Sequence, residues 1–206
     1  MVETSAPAAP HREVLEGYEN PELIEITFRK TLAFRSFRDE LSGAKTVLDF
    51  GGACGVHYKM ACDPAIRWAV VETPAMARRA AELSTESLQF FTGIDAAVSW
   101  LGSVDVMHSN GAIQYTPDPE ATVRALCAVR ARIMLWKRLT LSTASVESRM
   151  QVTRLVDNGP GIIPGTTDVK DVAYRETSIP EAIFLACHQG YRLTEREGGN
   201  FRFERD

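Results

Sequence analysis

Residues 47–55, Val47-Leu48-Asp49-Phe50-Gly51-Gly52-Ala53-Cys54-Gly55, run an apolar stretch directly into a glycine-rich turn. A carboxylate and several glycines at such a junction suit ligand binding, because glycine lets the backbone bend sharply and approach a ligand with no Cβ in the way. In the dinucleotide fingerprint G-x-G-x-x-G, with Gly51 first, the second and third glycines fall at Ala53 and Val56, and neither is glycine. The segment fits acid-x-Gly-x-small-x-Gly instead, through Asp49, Gly51, Ala53 and Gly55, with Gly52 inside the turn. That form cradles no pyrophosphate and suits a ligand presenting an amino acid and a ribose. Glu72 closes the next apolar run, where an acid accepts hydrogen bonds from both ribose hydroxyls. Asp95, after the third run, can accept from an adenine amino group. The ligand that combines these parts is S-adenosyl-L-methionine. Each residue also has a plain structural use, the glycines in a tight turn and the two acids as helix caps. Their order at successive strand ends favours binding.

With an activated methyl on a sulfonium, the protein's task is to align an acceptor for in-line attack and to exclude water. A base is needed only if the acceptor must lose a proton early. The residues placed for it are His57 and Tyr58 in the first turn after the glycines, and Gln114 and Tyr115 after the fourth run. His108, in an apolar run, is expected to be a satisfied core histidine. No G-x-S-x-G elbow and no carboxylate pair spaced for hydrolysis occurs. Cys54, His57 and Cys62 match no zinc spacing, so no metal is expected.

The elements that must position these residues follow from periodicity. Five short apolar runs, 47–50, 68–71, 88–91, 104–107 and 133–136, alternate with helical stretches at 56–62, 75–83, 95–101 and 120–129. Parallel strands need such crossovers, so the fold class is α/β, a doubly wound, mostly parallel, Rossmann-like sheet. Residues 191–196 and 201–204 flank two glycines and predict a C-terminal antiparallel hairpin. Ahead of the sheet, 21–41 reads as one helix with Asn20 as N-cap and Pro21 first, ended by Gly43. The expected division is a tail and helical cap over 1–43 and a catalytic domain over 44–206. Within it, the turn-rich insert 139–178 is expected to be a substrate-side lid.

At 206 residues and 45% hydrophobic the chain supports one core. A net charge of -4 argues against nucleic acid as partner, since that binding needs clustered Lys and Arg. No apolar stretch nears the ~20 residues that cross a bilayer, and the N-terminus carries no secretory signal. Four scattered cysteines suit the reducing cytoplasm.

Three runs, 47–58, Val71-Glu72-Thr73-Pro74 and Ser109-Asn110-Gly111-Ala112-Ile113-Gln114-Tyr115, together with Gly17-Tyr18 and Arg138, resemble a small bacterial family of class I methyltransferases dependent on S-adenosyl-L-methionine. The resemblance covers most of the chain from Gly17 onward, and Ala53 departs from the middle glycine of the wider superfamily. It implies that Thr73, Ser109 and Asn110 join the cofactor contacts and that Tyr18 reaches over the cofactor. The expected function is methyl transfer to an oxygen, nitrogen or carbon of a small-molecule acceptor in specialised metabolism, with a homodimer compatible with the size. An NAD(P)-dependent oxidoreductase and a non-catalytic cofactor-binding protein are the alternatives.

Overall fold

The computed structural model describes residues 14–16, 19–33, 41, 43–61, 63–158 and 170–206. Its chain order begins with a short strand, β1 (Val14–Glu16), and a helix, α1 (Pro21–Ala33). The βα alternation follows: β2 (Thr46–Phe50), α2 (Val56–Ala61), β3 (Arg67–Val71), α3 (Pro74–Ala80), β4 (Leu88–Phe91), α4 (Ile94–Leu101), β5 (Val106–Asn110), α5 (Pro119–Ala128) and β6 (Ile133–Lys137). The chain closes with β7 (Glu147–Arg154), β8 (Asp171–Ser178), α6 (Glu181–Ala186), β9 (Tyr191–Glu197) and β10 (Asn200–Arg205).

Among the described residues, seven strands form the main sheet in the order β4-β3-β2-β5-β6-β10-β9. The first five are parallel and the last two are antiparallel, β10 pairing with both β6 and β9. The expected hairpin is therefore present, and it is tied in by its inner strand. Alternation along each strand feeds two cores, as it must in a sheet covered on both faces. Leu48, Ala69, Val71, Met107, Met134 and Trp136 face one side with Phe184, Phe201 and Phe203. Val47, Trp68, Val70, Val106, Ile133 and Leu135 face the other, with Ala61 of α2.

Helix α1 starts as expected, with Asn20 Oδ1 accepting from Glu22 N at 2.9 Å and Pro21 in the first position. Its described part ends at Ala33, Leu41 lies in a separate 3-10 turn, and Phe34 and Phe37 lie outside the described residues. The helix has two apolar faces. Leu23 and Ile26 pack on Leu155, Val172 and Tyr174, whereas Ile24 and Phe28 pack on Met76 and Ala80 of α3.

Two expectations are corrected. The insert 139–178, read from the sequence as turn-rich, holds two long strands, β7 and β8, which pair antiparallel and, among the described residues, with β1 form a second, three-stranded sheet. Its outer strand, with Ser148, Arg149, Gln151 and Thr153 among its residues, has too few apolar positions to register as a strand by periodicity. The fourth parallel strand begins at Val106, not residue 104, and runs on to Asn110. The apolar run ends at Met107, but the strand continues because the polar side chain of His108 finds its partner inside the sheet.

Candidate cofactor and catalytic site

The turn after β2 takes three left-handed positions, Gly51 at φ 68°, Ala53 at φ 51° and Gly55 at φ 76°. Two of its glycines are fixed by crowding: a Cβ on Gly51 would meet Ala112 Cβ at 2.2 Å, and one on Gly52 would meet Asp49 Oδ2 at 2.4 Å. Ala53 tolerates a conformation that costs an L-residue roughly 1–2 kcal/mol. What holds it there is Glu72. Its Oε1 accepts from Ala53 N at 2.9 Å and its Oε2 from Thr73 N at 2.9 Å, strapping the turn to the end of β3. Burial pushes the Glu72 carboxyl up, and those two backbone donors oppose the shift. Thr73 in turn caps α3, accepting from Met76 N at 3.4 Å.

Beneath the turn lies a buried polar cluster that the sequence does not announce. Asp49 and His108 are neighbours in register on β2 and β5, so their side chains share a face of the sheet with Trp68. The Asp49 carboxylate is 0% exposed. It is bonded to His108 Nδ1 at 2.8 Å and His57 Nδ1 at 3.3 Å, and accepts from Trp68 Nε1 at 3.2 Å. Burial alone would raise its pKa, but the attraction and hydrogen bonds of His108 and His57 hold it well below the usual carboxylate range. The ligand atoms of Asp49, His57 and His108 lie within 4.8 Å of one another, a spacing that a cation could also bridge. The donors already on the carboxylate satisfy it as a hydrogen-bonded group.

His57 extends this cluster outward. Its Nε2 lies 3.0 Å from Asn110 Nδ2, and Asn110 Oδ1 accepts from Arg138 Nε at 2.6 Å. The carboxyl ends of β2, β3, β5 and β6 thus bring together the glycine turn, Glu72, Thr73, His57, Asn110 and Arg138. Ligands of open α/β sheets bind at such ends.

Other expected site residues sit elsewhere. Asp49 lies fully buried under the turn, bonded to His57, His108 and Trp68, so its position suits holding His57 rather than touching a ligand. Tyr58, about 100° round α2 from His57, packs on Trp68 at 6.1 Å between ring centroids and bonds Ser87 Oγ at 2.7 Å. Tyr115 turns to the small sheet, donating to Gln151 Oε1 at 3.0 Å and meeting Tyr174 edge to face. Ser109 is buried inside β5, its Oγ without a hydrogen-bond partner among the described residues. Asp95 is exposed in the first turn of α4, whose N-cap is Gly93. Gln114 is buried, donating to the Arg138 carbonyl at 3.2 Å. His108 is the satisfied core histidine expected, and Cys54 is buried against Met76 with its thiol pushed up to about 12. Tyr18 and Cys62 lie outside the described residues.

Trp68 was missed as a site-supporting residue, since an indole in an apolar run signals only core. The partnership of Asp49 with two histidines was missed because residues 49, 57 and 108 meet only through strand order.

No family model matches the chain, and no curated protein sequence matches it either. Solved structures do resemble it in fold. The sugar N-methyltransferase KedS8 from a Streptoalloteichus species superposes with a TM-score of 0.51 at 16% identity, over 100% of this chain and 99% of that one. CalS10, an amino pentose methyltransferase from Micromonospora echinaspora solved with S-adenosylmethionine bound, gives 0.51 at 15% identity over 92% of each chain. DesVI of Streptomyces venezuelae gives 0.51 at 13% identity, over 90% of this chain and 92% of that one. The fold is that of the Rossmann-like class I methyltransferases.

Proposed function

We propose that this protein transfers a methyl group from S-adenosyl-L-methionine to a small-molecule acceptor. The observation that carries the reading is the Glu72 carboxylate at the end of β3, half-buried beside the glycine turn. Each oxygen accepts one backbone N–H, and a carboxylate has about four acceptor sites, so each retains capacity for one hydroxyl of a ribose diol. The remaining acceptor capacity of Glu72 therefore fits the cofactor. Gly51, Gly52, Ala53 and Gly55 would approach the methionine portion, with Thr73 and Asn110 beside it.

When bound, the cofactor supplies an electrophilic methyl on a sulfonium. The chain supplies alignment and a proton acceptor. His57, held from behind by Asp49, is the group at the strand ends able to take a proton from an acceptor nucleophile. The small sheet and α1 are suited to cover the acceptor side, in keeping with a cap over 1–43, a catalytic domain over 44–206 and a lid within 139–178. We place the protein in the cytoplasm, in specialised metabolism. No helix among the described residues is long and apolar enough to cross a membrane. A homodimer is supported by Val146, Met150 and Val152, each more than half exposed on or beside β7, an edge strand of the small sheet.

Thermal melts with S-adenosylmethionine, S-adenosylhomocysteine and NAD test the reading, because a ligand that prefers the native state raises the melting temperature. Stabilisation by the first two is expected. Stabilisation by NAD alone would overturn it.

A further inference from the structure

The hydrogen bonds from Arg138 to Asp49 admit only one direction. A guanidinium donates and cannot accept, so the Asn110 atom facing Arg138 Nε at 2.6 Å is Oδ1. The same amide then turns Nδ2 to His57 Nε2, 3.0 Å away. An amide nitrogen also only donates, so Nε2 carries the lone pair. At the far end the Asp49 carboxylate only accepts, and it faces His57 Nδ1 at 3.3 Å, which therefore carries the hydrogen. Amide orientation and histidine tautomer are ordinarily inferred from neighbours. Here both ends of the series are one-way groups, and they decide the two ambiguous ones between them.

Arg138 is itself held with some effort. It adopts φ 50°, a left-handed position that strains a side-chain-bearing residue. Asn200 Oδ1 accepts from its N–H at 3.0 Å, and Gln114 Nε2 donates to its carbonyl at 3.2 Å. Its guanidinium lies over Gly111, where a Cβ would come within 3.2 Å of Nη2. Gly111 thus leaves the space that lets the arginine reach Asn110.

We infer that Arg138, acting through Asn110, keeps a donor rather than an acceptor against His57 Nε2, so that Nε2 stays bare toward the ends of β5 and β6 while Asp49 keeps the hydrogen on Nδ1. Arg138 and Asn110 are then positioning residues for the proton acceptor, a role that rests on the methyl-transfer reading. The substrate class narrows with it. Nε2 is matched to a donor, now Asn110 Nδ2, and an acceptor bringing its own O–H or N–H can take that donor's place. An acceptor that presents no O–H or N–H there does not fit.

Nitrogen-15 correlation spectra of the imidazoles test the tautomer at mildly alkaline pH without cofactor or acceptor. The chain has four histidines, and the signals lost in His57→Asn identify those of His57. The full-length protein is expected to show a protonated Nδ1 and a pyridine-like Nε2, and a proton on Nε2 overturns the proposal. In Arg138→Gln, whose amide can also accept, Asn110 is free to turn Oδ1 to Nε2, so a proton on Nε2 beside the one that Asp49 keeps on Nδ1 is expected, whereas Arg138→Lys retains the bare Nε2. An unchanged pattern in Arg138→Gln removes Arg138 from the role. Should that variant not fold, Asn110→Asp serves: its carboxylate accepts from both neighbours, so His57 is expected to gain a proton on Nε2, and a bare Nε2 there overturns the proposal. Because no arm uses the cofactor, a failure here leaves the melting experiments standing. Absence of cofactor binding with an intact tautomer response removes only the methyl-transfer reading.

Discussion

The backbone N–H of Ala53, a residue at φ 51°, donates to Glu72 Oε1 at 2.9 Å. A side-chain-bearing residue thus occupies a left-handed position where glycine rests without steric cost, and a single hydrogen bond from the neighbouring strand end secures it. Ala53→Gly relieves the steric cost and gives back part of it as unfolded-chain entropy. The expected net is a gain of about 1 kcal/mol, or roughly 2–4 °C in melting temperature at this chain length. A lower melting temperature in a thermal scan would show that the strain assigned to this turn is not there.

Glu72→Ala strands two backbone donors and removes both acceptor oxygens. Cofactor affinity is expected to fall by roughly 1–3 kcal/mol, the usual cost of unpaired buried groups, or about 5- to 150-fold in Kd. Calorimetric titration with S-adenosylhomocysteine measures it. Unchanged affinity removes Glu72 from the site.

Asp49→Asn keeps the volume but sets amide hydrogens against groups that now donate to a carboxylate. Breaking a buried network from its centre is expected to cost about 3–5 kcal/mol of stability. Trp68→Phe, which removes one donor and leaves the histidines in place, should cost only about 1–2 kcal/mol. Urea denaturation of both variants decides the order, and a larger loss in Trp68→Phe would contradict the cluster's hierarchy.

His188 gives stability a distinct pH dependence. The ring is buried, accepts from Trp136 Nε1 at 2.8 Å through Nε2, and lies with Nδ1 2.8 Å from the Phe184 carbonyl, a neutral arrangement. Burial pushes its pKa down from 6.5 to about 4, against the pull of that carbonyl. Between those values the unfolded chain binds a proton that the native state does not. The contribution is therefore fully present above pH 6.5 and is lost as pH falls to about 4, in total about 3 kcal/mol at ~1.4 kcal/mol per unit. His188→Gln should flatten this segment of the stability profile. An unaltered slope would mean that other groups carry it.

The βα rhythm, the glycine turn, the cap at Asn20 and the terminal hairpin were all legible in the chain, because each is written in local spacing. The small sheet was not, since β7 pairs with β8 across a connection of more than a dozen residues and carries little alternation of its own. The site divides in the same way. Gly51, Glu72 and His57 follow from strand ends and helix starts, which periodicity locates. That Tyr58 and Tyr115 turn away, and that Asp49 is bonded to two histidines, depends on helix rotation and strand order. Those are settled by packing between segments distant in sequence.

Helix α1 works as a splint. Because Leu23 and Ile26 are seated on the small sheet while Ile24 and Phe28 are seated on α3, the small sheet and the helix that follows Glu72 share a single rod. A displacement of either partner is therefore carried to the other through the same rigid rod, which couples the small sheet to the main one.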